Sequence, residues 1–271
     1  MVNFLFWNIK KKSLENTISK LALNRSIDVI MLAECAIDPV IILRKLNQSG
    51  LSNFSYSPGI GCQKIQLFTK FSEKFSRPIF ETDRLTIRHL ELPGLTDILL
   101  AINHFPSKLY WSEDSQSLEC PNLAASIRKV ENHVGHSRTI LVGDFNMNPF
   151  EKGIISAIGL HGVMTKRIAE KRSRKVLGIE YPFFYNPMWG LFGDSTRGPP
   201  GTYFDQRAEQ ITFFWNMFDQ VLIRPELINR FDDNYLQIID SDDNISFLTE
   251  EGAPNESMVS DHLPIQFKLQ L

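Results

Sequence analysis

Polar side chains that can bind metal ions or transfer protons recur in this sequence where apolar runs begin or end. The set comprises Asn8 after Val2–Trp7, Glu34 after Val29–Ala33, His104 after Ile98–Asn103, Asp144 and Asn146 after Thr139–Val142, Asp219 inside Phe218–Ile223, and Asp261 with His262 before Ile265–Leu269. Taken singly, each residue is better explained by a structural role, as a turn residue, a solvated strand end or a core histidine. Because charged groups are costly to bury, their joint occurrence predicts one shared polar site above the strands.

The donor types favour a divalent cation bound by oxygen. Glu34, Asp144 and Asp261 supply carboxylates, while Asn8 and Asn146 supply neutral donors and acceptors. Such ligands suit Mg²⁺ or Mn²⁺, whereas zinc prefers more histidine or thiolate. A divalent ion beside histidines and a carboxylate base is suited to the attack of water on a phosphate ester.

The elements that must position these residues are short strands and amphipathic helices. Strands are predicted at Val2–Trp7, Val29–Ala33, Ile65–Phe71, Leu85–Leu90, Ile98–Asn103, Thr139–Val142, Phe218–Ile223, Leu236–Ile239 and Ile265–Leu269. Helices are predicted from Leu14, Ile18, Leu21 and Ala22 after a Ser13 cap, from Asp38-Pro39 through Leu46, from the spacing of Leu123, Ile127, Val130 and Val134, and from Asn148-Pro149. Helices lying on two packed sheets form a layered α/β or α+β domain.

Composition excludes several classes of protein. The chain has 271 residues, of which 43% are hydrophobic and 22% charged, with a net charge of −2, as in ordinary globular proteins. The apolar run Val2–Trp7 is too short for a signal-peptide core, and no run approaches the roughly 18 apolar residues of a membrane span. Cys35, Cys62 and Cys120 are widely spaced and form no Cys-x-x-Cys pair. We therefore expect a cytoplasmic protein without a membrane partner or a zinc site.

The near-zero net charge hides an uneven distribution. Basic residues dominate between Lys166 and Lys175, whereas acids dominate from Asp205 to Asp261. The basic run opens the least regular part of the chain, residues 165–216, which is rich in proline, glycine and aromatic residues. Long irregular segments in compact domains are often functional loops, although a solvated surface insertion fits the same residues.

Six short motifs along the chain carry a resemblance to a known family. They are Phe6-Trp7-Asn8, Ala33-Glu34, Asn103-His104 with Ser107-Lys108, Gly143-Asp144-Phe145-Asn146, Phe218-Asp219-Gln220-Val221 and Ser260-Asp261-His262-Leu263-Pro264. In this order they resemble the endonuclease/exonuclease/phosphatase superfamily, the fold of pancreatic-type deoxyribonuclease, apurinic endonucleases and inositol-polyphosphate phosphatases. The resemblance implies a four-layered α/β sandwich of two packed, mainly antiparallel sheets flanked by helices. We expect one such domain over residues 1–271, with an irregular insertion at about 165–216.

The resemblance also implies a metal site. The counterpart of Glu34 binds Mg²⁺ in that family, with Asn8 and Asp261 nearby as ligands or supporting groups. Many nucleases of the group carry an acid two residues after the first asparagine. Lys10 occupies that position here, which removes one possible metal ligand.

The remaining motif residues are implied in catalysis. Asp144 would orient or deprotonate the attacking water, and Asn146 would help to hold water and phosphate. His262 would contact the phosphoryl oxygens, with Asp219 holding its imidazole. His104 would donate a hydrogen bond or a proton as charge develops in the transition state.

These residues predict a Mg²⁺-dependent phosphoester hydrolase, with Mn²⁺ as the other candidate ion, and favour a nuclease that cleaves DNA or RNA. The candidates for substrate contact are Lys108, Trp189, Tyr203, Lys171, Arg172 and Arg174. One alternative is a phosphatase or phosphodiesterase acting on a small molecule or lipid headgroup. A non-catalytic binding module is less favoured because all the core residue types are present. The sequence indicates nucleic acid as the partner and points to no protein partner.

Overall fold

A computed structural model describes residues 1–108, 111–194, 198–242 and 244–271. Its strands, in chain order, are β1 (Val2–Asn8), β2 (Val29–Ala33), β3 (Ser55–Tyr56), β4 (Ile65–Thr69), β5 (Ser76–Thr82), β6 (Leu85–Leu90), β7 (Ile98–His104), β8 (Thr139–Asp144), β9 (Gly162–Val163), β10 (Ser173–Val176), β11 (Ile179–Pro182), β12 (Phe184–Tyr185), β13 (Tyr203–Phe204), β14 (Trp215–Asn216), β15 (Asp219–Ile223), β16 (Gln237–Ile238), β17 (Ser241–Asp242), β18 (Ile245–Ser246) and β19 (Ile265–Leu269). The helices are α1 (Glu15–Asn24), α2 (Pro39–Leu46), α3 (Glu113–Val134), α4 (Lys152–Ile155) and α5 (Lys166–Ala169). Every strand predicted from the sequence forms, with boundaries shifted by at most two residues.

Two large sheets organise the described residues. The first has six strands in the order β16-β19-β1-β2-β4-β3, and the second has seven in the order β5-β6-β7-β8-β15-β12-β9. Within the described ranges their neighbouring strands are antiparallel, apart from the parallel pairs β1–β2, β7–β8 and β9–β12. The predicted mainly antiparallel two-sheet architecture is confirmed.

The sheets pack face to face, and helices cover their outer surfaces. Along β7, Ile98, Leu100 and Ile102 belong to the core between the sheets, whereas Leu99 and Ala101 pack in the cluster that contains the apolar face of α3. Side chains of a strand alternate between its two faces, so a strand buried on both faces is a continuous apolar run. Helices α1 and α2 pack against each other and bury their apolar faces in the same core as the first sheet.

Two helices have features that the sequence predicts: α2 has the predicted start, and α3 has the predicted buried face. The Asp38 carboxylate accepts a hydrogen bond from the Val40 N–H at 2.8 Å, and Pro39 occupies the first turn of α2. Helix α3 buries Leu123, Ile127 and Val130, as their spacing predicts. It ends at Gly135, whose φ of 85° is left-handed and favours glycine.

Two predicted helix starts are wrong. Ser13 does not cap α1, because the residue at the cap position is Leu14 and no side chain bonds to the exposed N–H groups there. Asn148 does not begin α4, which starts at Lys152. The Asn148 side chain instead donates to Asn216 Oδ1 and accepts from the Met217 N–H, both at 2.8 Å. These two bonds connect the end of β8 to the segment before β15. The polar groups of the Asn148 side chain are therefore hydrogen-bonded without capping a helix.

The segment 165–216 is more ordered than its composition predicts. Its described residues contain α5, five short strands and a 3₁₀ turn at Pro187–Leu191. The basic run, residues 166–175, forms α5 and most of β10, which pairs with β11 in an antiparallel hairpin. No helix within the described ranges is long and apolar enough to cross a bilayer.

Candidate active site

The register of the first sheet brings three of the motifs together. Strands β1 and β2 are parallel, with Asn8 opposite Ala33, so Asn8 and Glu34 lie at the same edge. Strand β19 is antiparallel to β1 and pairs Ile265 with Phe6, which places the preceding Asp261 and His262 at that edge.

The second sheet contributes its own strand ends to the same region. Parallel β7 and β8 pair His104 with Asp144, and antiparallel β15 pairs Asp219 with Asp144. Gly143 is required for this pairing, since an added Cβ would lie 1.8 Å from the Asn103 carbonyl oxygen. The predicted shared site therefore forms where the ends of the two sheets meet.

Asn8 links the carboxylates of the two sheets. Its Nδ2 donates to Asp144 Oδ2 at 3.0 Å and to Glu34 Oε1 at 3.3 Å. Glu34 adopts a left-handed φ of 47° and keeps 32% of its side chain exposed. His104 Nε2 lies 3.3 Å from Glu34 Oε1, and this hydrogen bond is the main reason why the pKa of Glu34 falls to about 2, despite the opposing effect of burial. Glu34 is thus an ionised carboxylate open to solvent.

His262 is fixed in one orientation by Asp219. Its Nδ1 lies 2.8 Å from Asp219 Oδ2, and its carbonyl accepts a hydrogen bond from Trp7 Nε1 at 2.8 Å. The Tyr203 ring packs on the imidazole with centroids 4.9 Å apart. Burial acts to lower the pKa of His262, but the negative charges of Asp219 and Asp144 outweigh it and raise the pKa to about 10. His262 is therefore an imidazolium at neutral pH, with Nε2–H as a donor.

Asp144 lies at the centre of the site. Its Oδ1 accepts the Asn146 N–H at 2.8 Å, and Asn146 Nδ2 donates to the Phe105 carbonyl at 3.1 Å. Asp144 Oδ2 lies 3.7 Å from His104 Nε2 and 3.9 Å from His262 Nε2. Asn146 has a left-handed φ of 50°, which is typical of a strained turn at a functional site. One carboxylate oxygen thus faces both imidazoles.

Asp261 is held by a cation of the chain itself. Lys10 Nζ lies 2.8 Å from Asp261 Oδ2 and 2.7 Å from Glu256 Oε1. Partial burial acts to lower the pKa of Lys10, but its hydrogen bonds to Asp261 and Glu256 raise it above the ordinary value. Lys10 is thus a charged member of the site.

The site opens into a cleft of about 880 Å³. Tyr203, Lys108 and the segment 205–213 line it together with the residues described above. Lys108 Nζ bonds Glu151 Oε1 at 2.6 Å and lies 5.5 Å from the centre of the Phe218 ring. Tyr203 and Lys108 therefore line the cleft.

Trp189 lies behind the cleft wall. Its ring packs on Phe150 with centroids 6.3 Å apart, and Phe150 in turn packs on Phe213 at 5.2 Å. Only Phe213 of these three rings lines the cleft. Trp189 therefore supports the wall and does not face a substrate in the cleft.

The basic residues Lys171, Arg172 and Arg174 lie at the opposite end of the second sheet. The Arg172 carbonyl accepts the Phe183 N–H at 2.8 Å, and the following β12 pairs with Ile223, the last residue of β15. Strand β15 starts at the site and spans about 13 Å at 3.3 Å per residue. Arg172 also lies 3.8 Å from Glu226. The structure does not bring these three predicted substrate contacts to the cleft.

Three supporting residues were not predicted as members of the site. Ser260 Oγ donates to the Asn8 carbonyl at 2.8 Å and accepts the His262 N–H at 3.2 Å. Thr202 Oγ1 accepts the Asp219 N–H at 3.0 Å. Ile211 lines the cleft from the segment 205–213. Ser260 lies inside a recognised motif, whereas Thr202 and Ile211 lie in the irregular segment, where no periodicity marks them.

Comparison with solved structures assigns the fold. The chain is similar over its whole length to truncated TDP2 from Caenorhabditis elegans, with 15% identity, 98% of that chain covered and a TM-score of 0.57. An endonuclease/exonuclease/phosphatase family protein from Leptotrichia buccalis matches with 15% identity, full coverage of both chains and a TM-score of 0.56. The endonuclease domain of TRAS1, a telomere-specific non-LTR retrotransposon, matches with 14% identity, 100% and 99% coverage and a TM-score of 0.55.

The chain has the endonuclease/exonuclease/phosphatase fold. The sequence itself matches no family model and no curated protein. The predicted resemblance is confirmed at the level of this fold, with its two packed sheets and flanking helices.

The donor set at the site of this endonuclease/exonuclease/phosphatase fold fits a hard divalent cation. Glu34 offers a solvent-accessible, ionised carboxylate, and the carboxylates of Asp144 and Asp261 line the same cleft. No cysteine lines this cleft within the described ranges. Carboxylate oxygens around an open, hydrated space are the surroundings in which Mg²⁺ binds.

Proposed function

We propose that the protein is a divalent-metal-dependent phosphodiesterase that cleaves nucleic acid, with Mg²⁺ as the ion and Mn²⁺ as a substitute. The observation that carries the proposal is the convergence of His104 and His262 on one oxygen of Asp144, beside the partly exposed carboxylate of Glu34. This set combines a base, two positive or hydrogen-bonding groups and a cation ligand around one point.

Glu34 is the proposed principal ligand, with Asn8 beside it. Asn8 binds both Glu34 and Asp144 through its Nδ2, so it fixes the ligand relative to the base. A divalent ion at Glu34 would polarise a phosphoryl oxygen and neutralise charge that develops during hydrolysis. Asp261 forms an ion pair with Lys10, so its proposed role is to hold the Lys10 ammonium at the site.

Asp144 is the proposed base that orients and deprotonates the attacking water. Its Oδ1 accepts the Asn146 N–H, whereas Oδ2 accepts one hydrogen bond from Asn8 Nδ2 at 3.0 Å and otherwise faces the imidazoles at 3.7 and 3.9 Å. Those separations exceed hydrogen-bond length and leave Oδ2 able to accept from a water molecule. The fixed position of Asp144 would hold that water in line with the scissile bond.

His262 and His104 are the proposed contacts to the phosphate. With Asp219 bound to Nδ1, His262 presents a protonated Nε2 to the cleft and donates to a phosphoryl oxygen. His104 hydrogen-bonds Glu34 and is placed to donate as charge grows on the phosphate. Both groups are oriented before the substrate binds, so little reorganisation is needed in the transition state.

Nucleic acid is the proposed substrate because the cleft is large and carries side chains that suit a base and a phosphate. It holds about 880 Å³ and carries an aromatic and a basic side chain, Tyr203 and Lys108, near the reacting centre. The endonuclease domain of TRAS1 shares the fold, which supports a polymeric substrate. A single domain over residues 1–271 and a cytoplasmic location stay predictions.

The test is a substrate panel with an inactive control. Labelled single-stranded and double-stranded DNA and RNA are incubated with the protein in Mg²⁺, and phosphate release is measured in parallel from nucleotides and inositol phosphates. We expect cleavage of at least one polymer, and its loss in Asp144→Ala at an unchanged melting temperature. Phosphate release from small molecules without polymer cleavage would overturn the nucleic-acid substrate, and equal cleavage by Asp144→Ala would overturn the site.

A further inference from the structure

Two histidines and one aspartate converge far from the cleft, in a group that we call the distal cluster (His89, Asp97 and His136). His89 Nε2 and His136 Nε2 both lie 2.9 Å from Asp97 Oδ2, and the three donor atoms lie within 4.8 Å of one another. Asp97 directly precedes β7, whose other end carries His104 at the candidate active site. Strand β7 has seven residues and spans about 20 Å at 3.3 Å per residue, so the distal cluster is separate from the cleft.

The distal cluster joins two segments that are distant in the sequence. His89 belongs to β6 and Asp97 to the connection between β6 and β7, whereas His136 follows the end of α3. The two histidine side chains are only 10% and 9% exposed, while 34% of the Asp97 side chain is exposed. The donor atoms are therefore held by the protein on one side and accessible to water on the other.

Charge balance alone does not require this convergence. The Arg138 guanidinium binds Asp97 Oδ1, and Arg138 Nε donates to the Asp97 carbonyl at 2.8 Å. Because one guanidinium already balances the charge of the carboxylate, the two imidazoles at Oδ2 are not needed to neutralise it. Carboxylates that bind metal ions are commonly hydrogen-bonded by a neighbouring group, and Arg138 is placed to do this for Asp97.

The donors are spaced almost as a tetrahedral cation requires. Zinc bonds to nitrogen and oxygen of about 2.0–2.1 Å place neighbouring ligand atoms about 3.3 Å apart. Each Nε2 would therefore move away from Oδ2 by only about 0.4 Å to admit an ion between them. Two imidazoles and one carboxylate, with water as the fourth ligand, form a set that zinc uses in proteins. Mg²⁺ prefers a shell of oxygen ligands and suits this cluster less.

One existing contact must change when an ion binds. His136 Nδ1 accepts the Arg138 N–H at 3.2 Å, so in the metal-free protein the neutral ring carries its proton on Nε2. Zinc at Nε2 shifts that proton to Nδ1 and breaks this hydrogen bond, which costs at most about tenfold in affinity. His89 has no such constraint, because its Nδ1 lies 3.7 Å from Glu91 Oε2, a carboxylate of the kind that orients metal-bound histidines.

We propose that the distal cluster is a Zn²⁺ site, with His89, Asp97 and His136 as ligands and water at the open position. The ion connects the β6–β7 hairpin to the segment after α3 and stabilises the folded chain, because the unfolded chain does not hold the three ligands together. The expected absence of a zinc site rested on the cysteines, which do not bear on this cluster. The proposal does not depend on the activity proposed for the cleft.

A Zn²⁺ titration of the metal-free protein, in excess Mg²⁺, tests the proposal by calorimetry and by NMR of the histidine rings. We expect one Zn²⁺ per chain to shift the ring signals of His89 and His136, while those of His104 and His262 report any ion in the cleft. Separate His89→Gln and His136→Gln variants should each lower the affinity by at least about 100-fold, because loss of a group that only supports a ligand already costs about 10–100-fold. His133→Gln is the matched control, since His133 is exposed in the last turn of α3, and should leave the affinity unchanged.

Melting temperatures give a second measurement and show that each variant is folded. Zn²⁺ should raise the melting temperature of the wild type and of His133→Gln by the same amount, and should raise that of His136→Gln by less. Zn²⁺ that shifts only His104 and His262, no Zn²⁺ binding at all, or wild-type affinity in folded His89→Gln and His136→Gln would each overturn the proposal. All three results would leave the function proposed for the cleft in place.

Discussion

Replacing Asp219 with asparagine should remove the proton that His262 presents to the phosphate. Asp219 Oδ2 lies 2.8 Å from His262 Nδ1, and its charge makes the largest contribution to raising the pKa of His262. Asparagine has nearly the same shape, and its oxygen still accepts a hydrogen bond from Nδ1–H. His262 is then neutral, and Nε2 carries a lone pair where the wild type carries a donor.

The size of the effect follows from the pKa of His262. The increase from 6.5 to about 10 corresponds to about 5 kcal/mol of stabilisation of the imidazolium, at 1.36 kcal/mol per pKa unit. Without Asp219, burial is opposed mainly by Asp144, and we expect the pKa to fall to about 6.5 or below. Loss of a correctly protonated histidine typically lowers kcat by about 10²–10⁴-fold.

Two measurements check this prediction. Titration of the His262 ring protons by NMR gives its pKa directly in both proteins, and kcat at pH 7.5 gives the loss of activity. Asp233→Asn serves as the control, because Asp233 is paired with Lys166 away from the cleft. A His262 pKa that stays near 10 in Asp219→Asn, or an unchanged kcat, would refute the reasoning.

The same pair sets a pH dependence of stability. The pKa of His262 in the folded protein lies above its unfolded value of 6.5. The contribution of His262 to the free energy of unfolding is therefore complete below pH 6.5 and is lost as the pH rises towards 10. The difference in free energy of unfolding between the wild type and Asp219→Asn should therefore shrink across that range. A constant difference would show that the two side chains do not form an ion pair.

Two further predictions concern residues that hold the fold. Gly143→Ala should destabilise the protein by about 3 kcal/mol or more, measured by denaturant unfolding, because its Cβ would lie 1.8 Å from the Asn103 carbonyl oxygen. The control is Gly190→Ala, which has open space around it and should change the stability by less than about 1 kcal/mol. Equal effects of the two substitutions would contradict the close approach of β7 and β8. Asp97 lies between His89, His136 and Arg138. Their hydrogen bonds outweigh the effect of burial and lower the pKa of Asp97. The contribution of Asp97 to the free energy of unfolding is therefore present above about pH 4 and is lost as the pH falls further. Asp97→Asn should therefore cost less than about 1 kcal/mol at pH 7, and the difference should shrink as pH falls below about 4; a difference that stays constant from pH 7 down to pH 2 would contradict this interpretation.

The strands were predictable because their burial leaves a direct trace in the sequence. Strands β7 and β8 are buried on both faces, so their central residues, 98–102 and 140–142, are uninterrupted apolar runs. The polar residues that follow them mark the edge of each sheet, which is why Asp144 and His104 were found at the site. The helix starts were less predictable, since Ser13 and Asn148 have the right side chains for caps, but Leu14 takes the cap position of α1 and Asn148 bonds to Asn216.

The substrate-facing surface was less accessible from the sequence. Positive charge between Lys166 and Lys175 suggested a phosphate contact, but β-strand register sends the hairpin β10–β11 to the far end of the sheet. The aromatic Trp189 reaches only the back of the cleft wall. Charge and ring type describe what a side chain can bind, whereas its direction depends on pairings between distant segments that no local pattern encodes.

The central claim is that Glu34 and Asp144 act with one divalent cation in the cleavage of a phosphodiester bond. Single-turnover cleavage of an oligonucleotide, measured over a Mg²⁺ titration, tests it most directly. We predict that chelation abolishes cleavage, that Glu34→Gln raises the Mg²⁺ concentration needed for half-maximal rate, and that Asp144→Asn lowers the rate at saturating Mg²⁺ by at least about 100-fold. Undiminished cleavage in excess chelator, or wild-type rates in both variants, would contradict the claim.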